Sequence, residues 1–172
     1  MKNDTISLWG EKRYHSLDYY LKNTYHEKVY RIALNAGLSC PNRDGRLDTR
    51  GCIFCSVGGS GDFAASPTLS ITEQLETEKR ILRAKRNCNK FIAYFQAFTN
   101  TYGSVERLRD LYMQAVNDPD VVIISIATRP DCLQPEILSL LAEINEKKTV
   151  WVELGLQTIH DDTRVFTRSG FT

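Results

Sequence analysis

Positions 121–127, Val-Val-Ile-Ile-Ser-Ile-Ala, carry almost no polar alternation, and a β-branched strand of that kind has to be covered on both faces. Strands covered twice belong to parallel sheets, whose neighbours must be joined by long crossovers, usually helices. The rest of the chain supplies both parts. Segments 29–35, 91–95 and 150–154 read as further short strands, while 72–86, 104–117 and 135–146 have the apolar spacing of amphipathic helices. Thr72, just before Glu73, is the expected cap of the first of these helices, and Pro135 suits the first turn of the third. His160 opens a fourth helix close to the last residue. This alternation predicts an α/β fold with about four parallel β/α units over residues 29–172, behind a helical extension formed by residues 1–28.

Composition narrows the classes open to the chain. Of its 172 residues 42% are hydrophobic and 25% charged, enough apolar material for one core, which excludes an intrinsically disordered chain. No apolar stretch approaches the roughly 20 residues that cross a bilayer, and the opening Met-Lys-Asn-Asp-Thr-Ile-Ser has no hydrophobic signal core. No membrane association and a cytoplasmic location are therefore expected. A formal net charge of +1 does not decide about nucleic acid, because a basic face can hide in a balanced total. Locally, Lys79, Arg80, Arg83, Lys85, Arg86 and Lys90 gather around the first long helix, and Lys12, Arg13, Lys22 and Lys28 stand among Tyr14, Tyr19, Tyr20 and Tyr25. That mixture suits phosphate contacts and base stacking. It equally describes a solvated helix face beside an N-terminal helix whose tyrosines cover the fold.

Three of the five cysteines lie in Cys40-Pro-Asn-Arg-Asp-Gly-Arg-Leu-Asp-Thr-Arg-Gly-Cys52-Ile-Phe-Cys55, and their spacing leaves three chemistries open. Three thiolates on one loop can hold three irons of a four-iron cluster while the fourth iron stays open to a ligand. A structural zinc ion needs four ligands, usually as two short pairs; only Cys52 and Cys55 are close in sequence, and His26 is the available fourth ligand. Unpaired thiols are the third possibility. A disulfide framework fits poorly with an odd count and no secretory signal. Cys88 and Cys132 have no ligand-spaced neighbours and read as ordinary reduced thiols.

In parallel α/β folds chemistry gathers at the carboxyl ends of the strands. The first such end leads into the cysteine loop, the second into Gln96-Ala97-Phe98-Thr99-Asn100, the third into Thr128-Arg129-Pro130-Asp131, and the fourth into Glu153-Leu154-Gly155-Leu156-Gln157. Polar side chains thus collect on one rim. Taken singly, each has a structural explanation: Thr128 or Asp131 as the cap of the next helix, Gln157 as the tie of a loop.

These segments in this order resemble a radical S-adenosylmethionine enzyme of the bacterial group with a long cysteine loop, related to the catalytic subunit of Elongator and, more distantly, to oxygen-independent coproporphyrinogen oxidase. The likeness is carried by Val29-Tyr-Arg-Ile-Ala-Leu34 leading into Cys40-Pro-Asn-Arg-Asp-Gly45, by Gly51-Cys-Ile-Phe-Cys55, by Tyr94-Phe-Gln-Ala-Phe-Thr-Asn-Thr-Tyr102, by Ala127-Thr-Arg-Pro-Asp131, and by Glu153-Leu-Gly-Leu-Gln-Thr-Ile-His-Asp-Asp162. The resemblance implies a six-stranded partial TIM-like barrel, (β/α)6, of which this chain carries about four units. It further implies that Cys40, Cys52 and Cys55 bind a [4Fe-4S] cluster whose open iron is chelated by the amino and carboxylate groups of S-adenosylmethionine. Reductive cleavage of that cofactor then yields methionine and a 5′-deoxyadenosyl radical, with the electron supplied by a donor such as flavodoxin or ferredoxin. Phe54 corresponds to the aromatic packed near the adenine, with ordinary packing as its alternative, and Gln157 to the polar residue that reaches the ribose.

Several positions depart from the group's pattern. Gln96-Ala97-Phe98 replaces the glycine-rich strand end that receives the methionine amino group, which leaves backbone carbonyls with Gln96, Thr99 and Asn100 as helpers, and Thr128 on the next strand end. Ala127 stands where Elongator-like members have an acid. The arginine expected before a glycine after the fourth strand is replaced by Ser169, leaving Arg168, one position early and turned about 100° around a helix, as the candidate partner of the methionine carboxylate. Kinship with Elongator implies a tRNA wobble uridine as substrate; a small metabolite such as a porphyrin precursor, or a non-catalytic cluster or metal module, are the alternatives. Fewer strands than the full barrel would leave an exposed strand edge and hence a surface for dimerisation.

Overall fold

A computed structural model of the chain describes residues 9, 10 and 12–169. Residues 1–8 and Glu11 of the expected extension, and Gly170, Phe171 and Thr172 after the expected fourth helix, lie outside the described residues. The elements alternate as α1 Leu17–Tyr25, β1 Val29–Leu34, α2 Ile71–Arg83, β2 Lys90–Phe95, α3 Val105–Val116, β3 Val121–Thr128, α4 Pro135–Lys147, β4 Thr149–Leu154 and α5 Asp161–Thr167, with a 3₁₀ turn at Pro130–Cys132. The four strands form one sheet in the order β1-β2-β3-β4, every pair parallel. This is the expected α/β architecture, four successive β/α units of a barrel-like arc.

Side-chain period explains how the sheet is covered. Ile32, Leu34, Phe91, Ala93, Phe95, Ile124 and Ile126 point to one face and merge with Leu75 of α2, Leu108 and Tyr112 of α3, and Leu140 and Ile144 of α4 into the main core. On the opposite face Val29, Ile92 and Ile123 meet Leu21 of α1, with Tyr20, Tyr25 and Trp151 packed against them. Two of the N-terminal tyrosines therefore cover the sheet; Tyr14 is exposed. β3 is covered on both sides, as its composition requires. Among the described residues β4 has a neighbour on one side only, and its Val152 and Leu154 remain exposed, as do Val165 and Phe166 of α5.

Local details depart from the sequence expectations for identifiable reasons. Ser70, not Thr72, caps α2: its hydroxyl accepts the Glu73 N–H while the Glu73 carboxylate accepts the Ser70 N–H at 2.8 Å, a capping box that needs the three-residue reach Thr72 lacks. β1 ends at Leu34 because the Asn35 peptide turns away to the Gln74 carboxamide, donating at 2.9 Å and accepting at 2.8 Å. Neither Thr128 nor Asp131 caps α4, which starts after Gln134 without a side-chain cap. At the amino ends of the strands, Lys79 of α2 is 3% exposed and its ammonium meets Asp118 at 2.8 Å and Asp120 at 3.1 Å, clamping α2 to the turn before β3. The site therefore has the other end of the sheet to itself.

Candidate cofactor site

The long segment between β1 and α2 carries the cysteines and is shaped by its own backbone. Arg43 N–H donates to the Cys40 carbonyl at 2.8 Å, Leu47 N–H to Pro41 at 2.8 Å and Gly51 N–H to Asn42 at 2.8 Å, folding the loop back so that Cys52 returns towards Cys40. A turn closed by Cys55 N–H on the Cys52 carbonyl at 3.1 Å keeps the last two cysteines together. Three threads sew the loop to the end of β2: Phe98 N–H to the Gly59 carbonyl at 2.8 Å, Gln96 Nε2 to the Ser60 carbonyl at 2.7 Å, and Thr99 N–H to the Ser39 carbonyl at 3.2 Å. Gly59 is required there. It sits at φ +63°, and a Cβ on it would lie 2.4 Å from the Phe98 ring.

The result is a cavity of about 340 Å³ whose wall includes Cys40, Cys52 and Cys55 together with Phe54, Gln96, Thr99, Thr128 and Gln157. Residues from the loop after β1 and from the ends of β2, β3 and β4 are thus brought to one space. The Gln157 side chain makes no hydrogen bond among the described residues, so it does not tie down its loop, and Phe54 is half exposed rather than packed into the core. The Thr128 hydroxyl instead bonds Thr101, which also donates to the Cys132 carbonyl. Arg168 is not on the wall. It sits at φ +55° at the end of α5, where its carbonyl accepts from Asn42 Nδ2 at 2.7 Å; the cations lining the cavity are Arg43 and Arg129.

Several lining residues carry no assigned role in the sequence expectations. Arg43 reaches the Cys55 carbonyl at 3.2 Å and the Ser56 carbonyl, clamping the cysteine pair from within. Arg129 is 8% exposed, forks onto Asp131 at 2.9 and 2.8 Å, and donates to the Ser169 carbonyl at 2.8 Å. Tyr94 and Glu153 also line the space; Glu153 accepts from Arg31 at 3.0 Å and from Ser125 at 2.6 Å, and the Arg31 guanidinium lies 4.3 Å over the Tyr94 ring. Period-two counting back from Gln96 and Gly155 puts Tyr94 and Glu153 on the same sheet face, so these two were within reach of the sequence.

Electrostatics differ among the thiols. Burial pushes the Cys52 thiol up, against the opposing pull of the Asn42 hydrogen bond and the Arg129 charge. Cys132, 4% exposed, is pushed up to about 11 by burial and by Asp131 beside it. All five cysteines are unpaired, and Cys88 is buried away from the loop, in keeping with ordinary thiols at 88 and 132.

Among the described residues no group of three or more His, Cys, Asp or Glu side chains is arranged to hold a single metal ion. His26 ends α1 just before β1 and so stands at the opposite end of that strand from the cysteines, unable to complete a zinc tetrahedron with them. Three thiols facing one open cavity suit a larger cubic cluster, whose ligands stand on separate corners rather than around one ion. The donor set fits such a group; Asn42 Oδ1 is buried and has no hydrogen-bond partner among the described residues.

The sequence profile of the Radical SAM superfamily matches residues 49–172. Among curated proteins, the uncharacterized protein YtqA of Bacillus subtilis is 50% identical over 153 residues, 89% of this chain and 48% of the relative. The protein YhcC of Escherichia coli K12 is 44% identical over 145 residues, 83% and 45% of the two chains, and the uncharacterized protein MJ0486 of Methanocaldococcus jannaschii is 33% identical over 147 residues, 84% and 44%. The chain therefore spans about half the length of these curated relatives. With a profile match over most of its length and a parallel β/α arc that brings three cysteines to one cavity, this chain belongs to the radical SAM superfamily.

Proposed function

We propose that residues 29–172 form the cofactor-binding part of a radical SAM enzyme, with Cys40, Cys52 and Cys55 as ligands of a [4Fe-4S] cluster and α1, ahead of β1, covering one sheet face. The observation that carries the reading is the convergence of three unpaired thiols and the polar ends of three further strands on one cavity. When bound, the cluster supplies one electron to S-adenosylmethionine, which yields methionine and a 5′-deoxyadenosyl radical for hydrogen abstraction. Phe54, half exposed beside the cysteines, offers a face for the adenine; Gln157, whose amide is uncommitted, offers hydrogen bonds to the ribose. Gln96, Thr99 and Thr128 hold the strand ends that shape the wall. Arg168 stands off this wall, so the methionine carboxylate has its nearest lining cations in Arg43 and Arg129.

The long-cysteine-loop motifs support a place near the Elongator catalytic subunit, and hence the wobble uridine of tRNA as substrate, with flavodoxin or ferredoxin as electron donor in the cytoplasm. The exposed outer face of β4 supports a surface for a second copy of the chain. No helix among the described residues is long and apolar enough to cross a membrane. Anaerobic reconstitution with iron and sulfide, then dithionite and S-adenosylmethionine, tests the chemistry. Four irons per chain and release of 5′-deoxyadenosine are expected, each lost on Cys→Ala substitution at 40, 52 or 55; cluster formation without cleavage would leave only a redox or binding module. Mass spectrometry of tRNA nucleosides from a strain lacking the gene tests the substrate, and an unchanged wobble-uridine profile refutes it.

A further inference from the structure

Asn42 lies inside the cysteine loop and is 1% exposed. Its Nδ2 donates to the Cys52 sulfur at 3.2 Å, to the Arg168 carbonyl at 2.7 Å and to the Ser169 carbonyl at 3.0 Å. The two carbonyls can only accept, so the carboxamide must turn its nitrogen towards them. That nitrogen has two protons for three acceptors. Whatever raises the negative charge on the Cys52 sulfur therefore draws a proton towards sulfur and away from the carbonyls. Those carbonyls belong to the end of α5, where no intrahelical partner exists. Ile53 N–H holds the Thr167 carbonyl at 3.2 Å, so the cysteine loop grips the end of α5 through a side chain and a peptide together.

Resting on the reading that Cys52 ligates a cluster, we propose that Asn42 is a positioning residue that eases reduction of that cluster and fastens the end of α5 to the cysteine loop. A hydrogen bond to a ligand sulfur stabilises negative charge there. Addition of one electron increases that charge, so the bond is stronger in the reduced state and the reduction potential rises. The same proton supply fastens Arg168 and Ser169, so the loop and the fourth β/α unit meet in one carboxamide.

Asn42→Ala removes the donor without adding charge and is the variant that reads the hydrogen bond; Asn42→Asp keeps the shape, removes the donor and adds a carboxylate whose charge lowers the potential further. In the reconstituted wild-type chain and both variants, the reduced cluster is followed by electron paramagnetic resonance during a dithionite titration with mediators. At a poise that half-reduces the wild type, the ratio of reduced to oxidised cluster is expected to fall about tenfold in Asn42→Ala, a midpoint lower by about 59 mV for one electron. In the cluster-free chain, hydrogen exchange at Ile53 N–H is expected to quicken roughly tenfold in Asn42→Ala. Asn42→Ala with four irons and an unchanged midpoint overturns the tuning role, and loss of iron uptake in both variants counts equally against it in favour of a purely structural one. Unchanged exchange overturns the fastening of α5. If the wild type itself takes up no cluster, the ligand reading fails, and the exchange measurement still decides the fastening of α5.

Discussion

Replacing Lys79 by Met keeps the aliphatic stem and deletes a buried charge, and the structure allows its cost to be worked out partner by partner. Glu76, at 2.7 Å, has a side chain 64% exposed and returns to water at little cost. Asp120 keeps Arg83 at 2.9 Å. Asp118, only 7% exposed, loses its cation and retains the Asp120 N–H at 2.9 Å. One buried carboxylate loses its paired cation, a change that costs about 3–5 kcal/mol when a pair is broken from one side, with the Lys148 ammonium on the Asp118 carbonyl as the remaining nearby charge. The retained hydrogen bond points to the lower end, about 3 kcal/mol. Urea unfolding followed by circular dichroism reads this directly, and adding Asp118→Asn to Lys79→Met should restore a large part of it, because the orphaned charge is gone. Burial pushes the Asp120 carboxyl up, but Lys79 and Arg83 outweigh it and hold it below the usual carboxylate range. A depressed carboxyl stabilises the fold above its unfolded pKa, about 4, and that stability is lost as pH falls through the folded value. The gap between wild type and Lys79→Met should therefore narrow in acid. A loss under about 1 kcal/mol, an additive double variant, or a gap that widens below pH ~4 refutes the reasoning.

Tyr112 is fully buried and donates to the Asn100 carbonyl, so Tyr112→Phe should cost about 1–2 kcal/mol in the same assay. Gly59→Ala forces a side chain onto a positive φ and into the Phe98 ring; a loss of at least about 1 kcal/mol and poorer iron uptake are expected, measured by thermal unfolding and iron content. Cys132, with its thiol pushed up to about 11 and only 4% exposed, should resist iodoacetamide at about pH 8 in the native chain and react once unfolded, as peptide mass spectrometry will show.

Much of the site was legible because its residues announce themselves locally. The cysteine spacing, the polar strand ends and the β-branched run at 121–127 each follow from a short stretch of chain. Five of the six non-cysteine candidates stand on the cavity wall. Arg168 does not, because a left-handed residue ends α5 there and brings its carbonyl to the Asn42 carboxamide of the loop. Nothing in a helical-wheel count can foresee that turn. The cap of α2 was misread for a similar reason: Thr72 and Ser70 are both good caps, and only Ser70 stands three residues before a Glu.

The order of strands and helices and the parallel sheet are legible in the sequence alone, since they rest on period and β-branching, whereas the cysteine spacing by itself left a cluster, a zinc ion and unpaired thiols open. What only the tertiary structure decided is which distant groups share the cavity. Asn42 touching the end of α5, Arg129 standing between strand end and Ser169, and Glu153 bridging to Arg31 and Ser125 join residues 28 to 127 positions apart. Such contacts depend on how the strands lie side by side and how the loop folds back across their ends, and no local pattern in the chain encodes either.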